Sequence, residues 1–170
     1  MSSILQEEHF NPFSLRPTVC EVDLSAIEEN YFAIEKLVSP AQIMPVVKAN
    51  AYGHGLITCS KYLEKIGAPY LCVAFLEEGI QLRQAGIKTN ILVLGGIFNN
   101  QIEHFLDFDL DITVSSLTKL EAVNAAAKNA GKKARIHLKV DTGMNRVGIR
   151  VENAPQLFEK AIAADSCEII

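Results

Sequence analysis

Pro45-Val46-Val47-Lys48-Ala49-Asn50-Ala51-Tyr52-Gly53-His54-Gly55 is the stretch on which the reading of this chain turns. An apolar run delivers one lysine to its end, and a small, polar, Gly-rich loop follows at once. A lysine whose stem is buried by a strand, with its amine at a loop mouth, is partly desolvated. Desolvation frees the neutral amine that attacks a carbonyl carbon. The loop glycines let the backbone approach a ligand closely, and Tyr52 adds a hydroxyl for an anion. A buried strand-end lysine that snorkels to water fits the same pattern equally well.

Working outward from that lysine, short β-branched runs alternate with amphipathic segments. The runs are 42–48, 70–75, 91–94, 110–114, 134–141 and 167–170. Between them the spacing predicts helices over 56–66, 77–85, 100–108, 117–130 and 152–164, with another over 26–38. Gly67, Gly86 and Gly131 follow the last periodic residue, as helix-ending glycines do. Ser25 with Glu28 three residues on has capping-box spacing, and Ser116 is placed to cap the helix after it.

Strand and helix alternating at this spacing predict βαβ units and a parallel sheet. Two α/β architectures fit, an open doubly wound sheet and a (β/α)8 TIM-type barrel. The first strand-to-helix loop lacks G-x-G-x-x-G, which counts against dinucleotide binding. Lys48 and Lys139 both fall at carboxyl ends of strands, where barrel enzymes keep their chemistry, so the barrel is favoured. Such a barrel takes eight strands and ~250 residues. The pattern here supplies five βα units and the start of a sixth strand, so the expectation is an incomplete barrel.

The chain has 170 residues, 49% hydrophobic and 21% charged with a net charge of −4, as in a soluble globular domain. Its lysines are interleaved with Asp and Glu, so no basic face for nucleic acid is expected. Cys20, Cys59, Cys72 and Cys167 form no C-x-x-C pair and are read as free thiols, which suits a reducing compartment. Residues 1–17 are expected to be a flexible start without signal-peptide character, and no run reaches the ~20 apolar residues of a membrane span. A cytoplasmic protein is the expectation, with no metal site.

His137-Leu138-Lys139-Val140-Asp141-Thr142-Gly143-Met144-Asn145-Arg146-Val147-Gly148 repeats the logic of the first stretch. Alternation puts His137, Lys139 and Asp141 on one side of a strand. An inward lysine there must find a partner or lose its charge, because isolated buried ammonium groups are costly. Arg146 supplies a fixed positive field for a phenolate, carboxylate or phosphate. An Asp141–Arg146 pair that merely fixes the loop fits the residues equally well.

Together the two stretches resemble alanine racemase, a fold-type III pyridoxal phosphate enzyme. Ala74-x-x-Glu77-Glu78-Gly79 and Ile91-Leu92-Val93-Leu94-Gly95 also lie where that family has similar segments, and the resemblance runs from about Val19 to the last residue. It implies that residues 18–170 form a partial amino-terminal barrel domain, and that the family's carboxyl-terminal β domain is absent. Lys48 then matches the lysine that binds pyridoxal phosphate as an internal aldimine and exchanges the α-proton on the D-alanine face. Tyr52 matches a tyrosine on the cofactor phosphate. Arg146 matches an arginine near the cofactor phenolic oxygen and the substrate carboxylate. Lys139 matches a lysine often carbamylated in the family, whose negative carbamate orients that arginine. Leu94 looks like a cofactor-wall residue.

The implied activity is interconversion of L- and D-alanine, supplying D-alanine for cell-wall peptidoglycan, with a homodimer as the full-length assembly. One lysine serves one face of the α-carbon, so a second acid/base is required. In the family it is a tyrosine from the partner's carboxyl-terminal domain, and no residue here matches it. A racemase of serine or lysine, and a non-catalytic pyridoxal phosphate-binding fragment, remain as alternatives.

Overall fold

The computed structural model describes residues 18–170, so the flexible start expected over residues 1–17 lies outside the described residues. In chain order the elements are α1 (Leu24–Val38), α2 (Lys48–Tyr52), α3 (Leu56–Lys65), β1 (Tyr70–Val73), α4 (Leu76–Gln84), β2 (Asn90–Val93), α5 (Ile102–Asp107), β3 (Asp111–Val114), α6 (Leu117–Asn129), β4 (Ala134–Leu138), β5 (Val140–Asp141), β6 (Ile149–Arg150), α7 (Ala154–Ile162) and β7 (Cys167–Ile169). The main sheet is parallel, in the order β1-β2-β3-β4-β7, and β5 pairs with β6 beside it. It is an α/β fold of barrel type whose sheet does not close.

Local chemistry explains most boundaries. Gly67, Gly86 and Gly131 take φ of 92°, 90° and 62° after α3, α4 and α6, a left-handed step that favours glycine. Ser116 caps α6 by accepting the Lys119 N–H. The first helix starts earlier than the Ser25–Glu28 spacing predicts. Asp23 is its cap, accepting the Ser25 and Ala26 N–H groups at 2.9 and 3.2 Å, and Ser25 lies inside the first turn.

Two predicted strands come out differently. The 42–48 run keeps only one bridge, Val46 beside Cys72, through Val47 N–H to Cys72 O and Cys72 N–H to Pro45 O, both 2.8 Å. The next rung back would need an N–H on Pro45, which proline lacks. The next two rungs forward would need the Ala74 and Ala49 N–H groups, and both go to the Glu78 carboxylate instead. The 134–141 run breaks at Lys139. Its N–H still donates to Val114 O in the main sheet, while its carbonyl accepts Ile149 N–H from the small one, both 2.9 Å.

Sheet register sorts the side chains into two faces. Leu71, Val73, Ile91, Val93, Ile112, Val114 and Ile136 share one face and are at most 1% exposed. They pack with Leu63, Leu82, Phe105, Val123 and Leu157 of the helices in one core. The opposite face carries Tyr70, Cys72, Leu92, Asp111, Thr113, Arg135 and His137. Helices thus cover one face only, unlike a doubly wound sheet.

Curvature points the same way. Tyr70 on β1 and His137 on β4 meet edge to face, ring centroids 5.9 Å apart. Strands three places apart in a flat sheet would be separated by about 14 Å. The sheet curls around its polar face, as a barrel wall does.

The amino ends of the strands are pinned by charged groups with partners. Glu64 accepts the Lys88 and Thr89 N–H groups at 2.6 and 2.7 Å. Arg83 donates to the carbonyls of Ile87, Thr89, Phe108 and Asp109. Arg135 bridges Asp109 and buried Asp111, each at 2.6 Å. Desolvation pushes the Asp111 carboxyl up. Hydrogen bonds from His137, Tyr70 and Arg135 outweigh it and hold the group below the usual carboxylate range.

Candidate active site at the carboxyl ends of the strands

At the opposite rim the charged groups are differently placed. Among the described residues, no hydrogen bond or ion pair engages the side chains of Lys48, Lys139 or Arg146. Lys48 and Lys139 are half-buried and Arg146 is exposed. Val47, immediately before Lys48, is buried in the helix-side core, so alternation carries Lys48 toward the inner face. Leu94 and Lys139 continue the inner-face positions of β2 and β4. Leu94 N–H donates to Val73 O and Gly95 N–H to Ala74 O, at 2.8 and 3.1 Å. A Cβ at Gly95 would collide with that Ala74 carbonyl, so only glycine allows the two strand ends to come so close.

The segment after Lys48 is not an ordinary loop. Ala49, Asn50, Ala51 and Tyr52 all take positive φ, between 51° and 56°. This is one turn of left-handed helix, costing about 1–2 kcal/mol per residue for L side chains. Local bonds hold it. Asn50 Oδ1 accepts the Leu56 N–H at 2.8 Å, and Asn50 O accepts the Gly55 N–H at 2.9 Å. A His54 ring nitrogen sits 2.9 Å from Ala51 O, a loop-fixing role. The turn leaves Tyr52 62% exposed, with its phenol directed away from the core.

The second loop has its own organiser. The Asp141 carboxylate accepts backbone N–H groups of Gly143, Asn145 and Arg146 at 3.0, 2.9 and 3.0 Å. Bonds from Asn145 and Gly143 foremost lower its pKa. The Asp141–Arg146 pairing considered from sequence is therefore made to the arginine backbone, and the guanidinium is left to solvent. Arg146 and Arg150 line one open polar cavity of about 690 Å³ with Glu152.

Lys48, Leu94 and Lys139 thus share one rim of one curved sheet. Lys48 and Lys139 lie on either side of β1, β2 and β3 along it, and no direct bond joins them. Two features of this rim, in stretches already quoted from the sequence, were not read there. One is the left-handed turn; the other is Glu78, whose carboxylate ties the turn to the β1–α4 loop. A double glutamate in a first helical turn reads as dipole compensation, which conceals such a contact. Among the described residues no group of His, Cys, Asp or Glu is arranged to hold a metal, and no helix is long and apolar enough to cross a membrane.

Comparisons with known proteins follow the same lines. The model of the alanine racemase N-terminal domain matches residues 22–170. An alanine racemase of Geobacter sulfurreducens is 42% identical over 144 residues, 84% of this chain and 38% of that protein. The structure of alanine racemase from Clostridium difficile 630 superposes with a TM-score of 0.80 at 35% identity, covering 86% of this chain and 38% of the other. A histidine racemase from Leuconostoc mesenteroides subsp. sake superposes with a TM-score of 0.78 at 28% identity, covering 85% and 39%. The chain spans well under half the length of these relatives.

Proposed function

The chain belongs to the alanine racemase family through its N-terminal domain, and on that premise we propose that it carries the lysine-bearing part of a pyridoxal phosphate-dependent racemase site acting on alanine. One observation carries the reading. Charged groups pinning the amino ends of the strands are bonded to partners, whereas Lys48, Lys139 and Arg146 at the other rim have none among the described residues. Charges left unpartnered on a rigid rim are available to a ligand.

The donor set suits an anionic aldehyde cofactor. Lys48 offers a primary amine, Tyr52 an exposed phenol and Arg146 an exposed guanidinium. When bound, pyridoxal phosphate supplies a conjugated electron sink next to the substrate α-carbon. Lys48 would hold the cofactor covalently through Nζ, and its amine would move the α-proton on one face. Tyr52 donates to the phosphate, and Leu94 walls the ring. Arg146 orients the substrate carboxylate and the cofactor phenolic oxygen, and Lys139, carbamylated, fixes the guanidinium. The acid/base for the other face comes from a partner subunit in a homodimer. The setting is the cytoplasm, and the product, D-alanine, serves cell-wall peptidoglycan.

The test is to incubate the purified chain with pyridoxal phosphate, reduce with borohydride and map the modified lysine by mass spectrometry. L-to-D conversion is assayed in parallel with alanine, serine, lysine and histidine. Label at Lys48, abolished in Lys48→Ala without loss of fold, supports the reading. Label spread over surface lysines refutes it. The structural match to a histidine racemase favours a second reading, a different amino-acid substrate, and the panel decides between them.

A further inference from the structure

We infer that Glu78 is the positioning residue for Lys48, an inference that rests on reading Lys48 as the cofactor-binding amine. Glu78 stands at the third position of α4. Its Oε2 accepts the N–H groups of Ala74 and Phe75 at 2.8 and 3.2 Å, the reach-back common for a glutamate there. Its Oε1 accepts a third N–H at 2.6 Å, from Ala49, 29 residues earlier and adjacent to Lys48.

That third bond occupies a definite place in the sheet. After the Val46–Cys72 bridge, the next parallel rungs would join Ala74 N–H to Val47 O and Ala49 N–H to Ala74 O; the first is lost because Ala74 N–H goes to Glu78 Oε2 and Val47 O accepts Ala51 N–H. Ala74 O instead accepts Gly95 N–H, and the Ala49 N–H turns to the carboxylate. Glu78 is a spacer set between the two chains where a carbonyl–amide rung would otherwise form. It stops the ladder one residue after Val47 and starts the left-handed turn at Ala49. Lys48 is held at the junction, its backbone fixed by the sheet behind it and the carboxylate in front. Charge-assisted bonds to amides are the strong kind, and the start of α4 favours the negative charge. Without the spacer the strained turn loses its anchor on the Lys48 side, and the amine loses its fixed origin.

Neighbouring carboxylates supply controls. Glu77 is exposed, on the same helical turn, and makes no such bond among the described residues. Glu64 binds two backbone amides in the same manner, but at the far end of the sheet. The experiment compares Glu78→Ala, Glu78→Gln, Glu77→Gln and Glu64→Gln in the full chain. It has two readouts: borohydride-stabilised label at Lys48 under limiting pyridoxal phosphate, and amide hydrogen exchange over residues 49–52 without cofactor.

Loss of a charge-assisted bond is expected to cut the label in Glu78→Ala by roughly tenfold or more, and to speed exchange at Ala49 by a similar factor. Glu78→Gln keeps one acceptor oxygen and is expected to fall between Glu78→Ala and wild type. Glu64→Gln is expected to lower the melting temperature yet leave label and exchange at the turn as in wild type. Equal labelling and exchange in the Glu78 and Glu77 variants would overturn the inference. Should wild type take no label at Lys48, the cofactor reading fails by itself, and exchange over residues 49–52 still decides whether Glu78 holds the turn. If Glu78→Ala does not fold, Glu78→Gln carries the comparison.

Discussion

Replacing Asp111 by alanine tests whether the inner-face network holds the curved sheet together. The Asp111 side chain has no exposed surface and accepts from Arg135 Nε at 2.6 Å and Tyr70 Oη at 2.8 Å, with His137 Nε2 at 3.1 Å. These partners come from β1 and β4, so one carboxylate ties together strands that β2 and β3 separate. Removing it leaves the Arg135 guanidinium, 24% exposed, with only the solvent-facing Asp109. Breaking a buried pair from one side costs about 3–5 kcal/mol, because the remaining charge stays desolvated. For a chain of this length that is a fall in melting temperature of roughly 6–20 °C. Thermal unfolding followed by circular dichroism measures it.

The same network has a pH signature. The native Asp111 pKa is lowered below its ordinary 3.8, so its contribution is present above about pH 4 and is lost as pH falls through the native value. Asp111→Asn should flatten that part of the acid limb. A loss under about 1 kcal/mol in Asp111→Ala, or an unchanged acid limb in Asp111→Asn, would refute the assignment of stability to this residue.

Three further outcomes are expected. Native alkylation at pH 8 should modify exposed Cys20 first, while burial pushes the Cys59 thiol up and the Cys72 thiol up to about 11; mass spectrometry should find both unmodified until denaturant is added. Gly148→Ala should destabilise the Arg146 loop by about 1–3 kcal/mol, because Gly148 sits at φ 139° and an added Cβ would press on the Asp141 backbone; proteolysis at the loop reads it. Ala49→Gly should cost little or raise stability by up to about 1 kcal/mol, since glycine relieves the left-handed strain. Its control, Ala125→Gly in right-handed α6, should cost about 1 kcal/mol, both variants being read by urea unfolding.

Much of this architecture was legible from residue patterns because β-branched runs and helix-ending glycines are local signals. The Gly67, Gly86 and Gly131 stops and the Ser116 cap needed only near neighbours, and the structure has all four. What pattern could not supply was competition for single backbone groups. The 42–48 run has strand character, yet it loses one rung because Pro45 has no N–H and another because Glu78 captures Ala49. Likewise Ser25 with Glu28 has capping spacing, but Asp23 starts the helix two residues earlier by taking the Ser25 and Ala26 amides. The charge contrast between the two rims was half visible. Lys48 and Lys139 stood out as strand-end cations and Arg146 as a loop cation, while the Tyr70–Asp111–Arg135–His137 cluster joins residues scattered over three strands and has no sequence spacing to betray it.

The main chain at Lys139 is anchored in both directions, by Val114 on one side and Ile149 on the other. Any chemical group added to its amine, a carboxylate included, must therefore be absorbed by rotations along the four-carbon stem. The peptide behind it has no freedom to retreat. A carboxylate added at this nitrogen would turn this one side chain from positive to negative while leaving the architecture of the surrounding strands where it was.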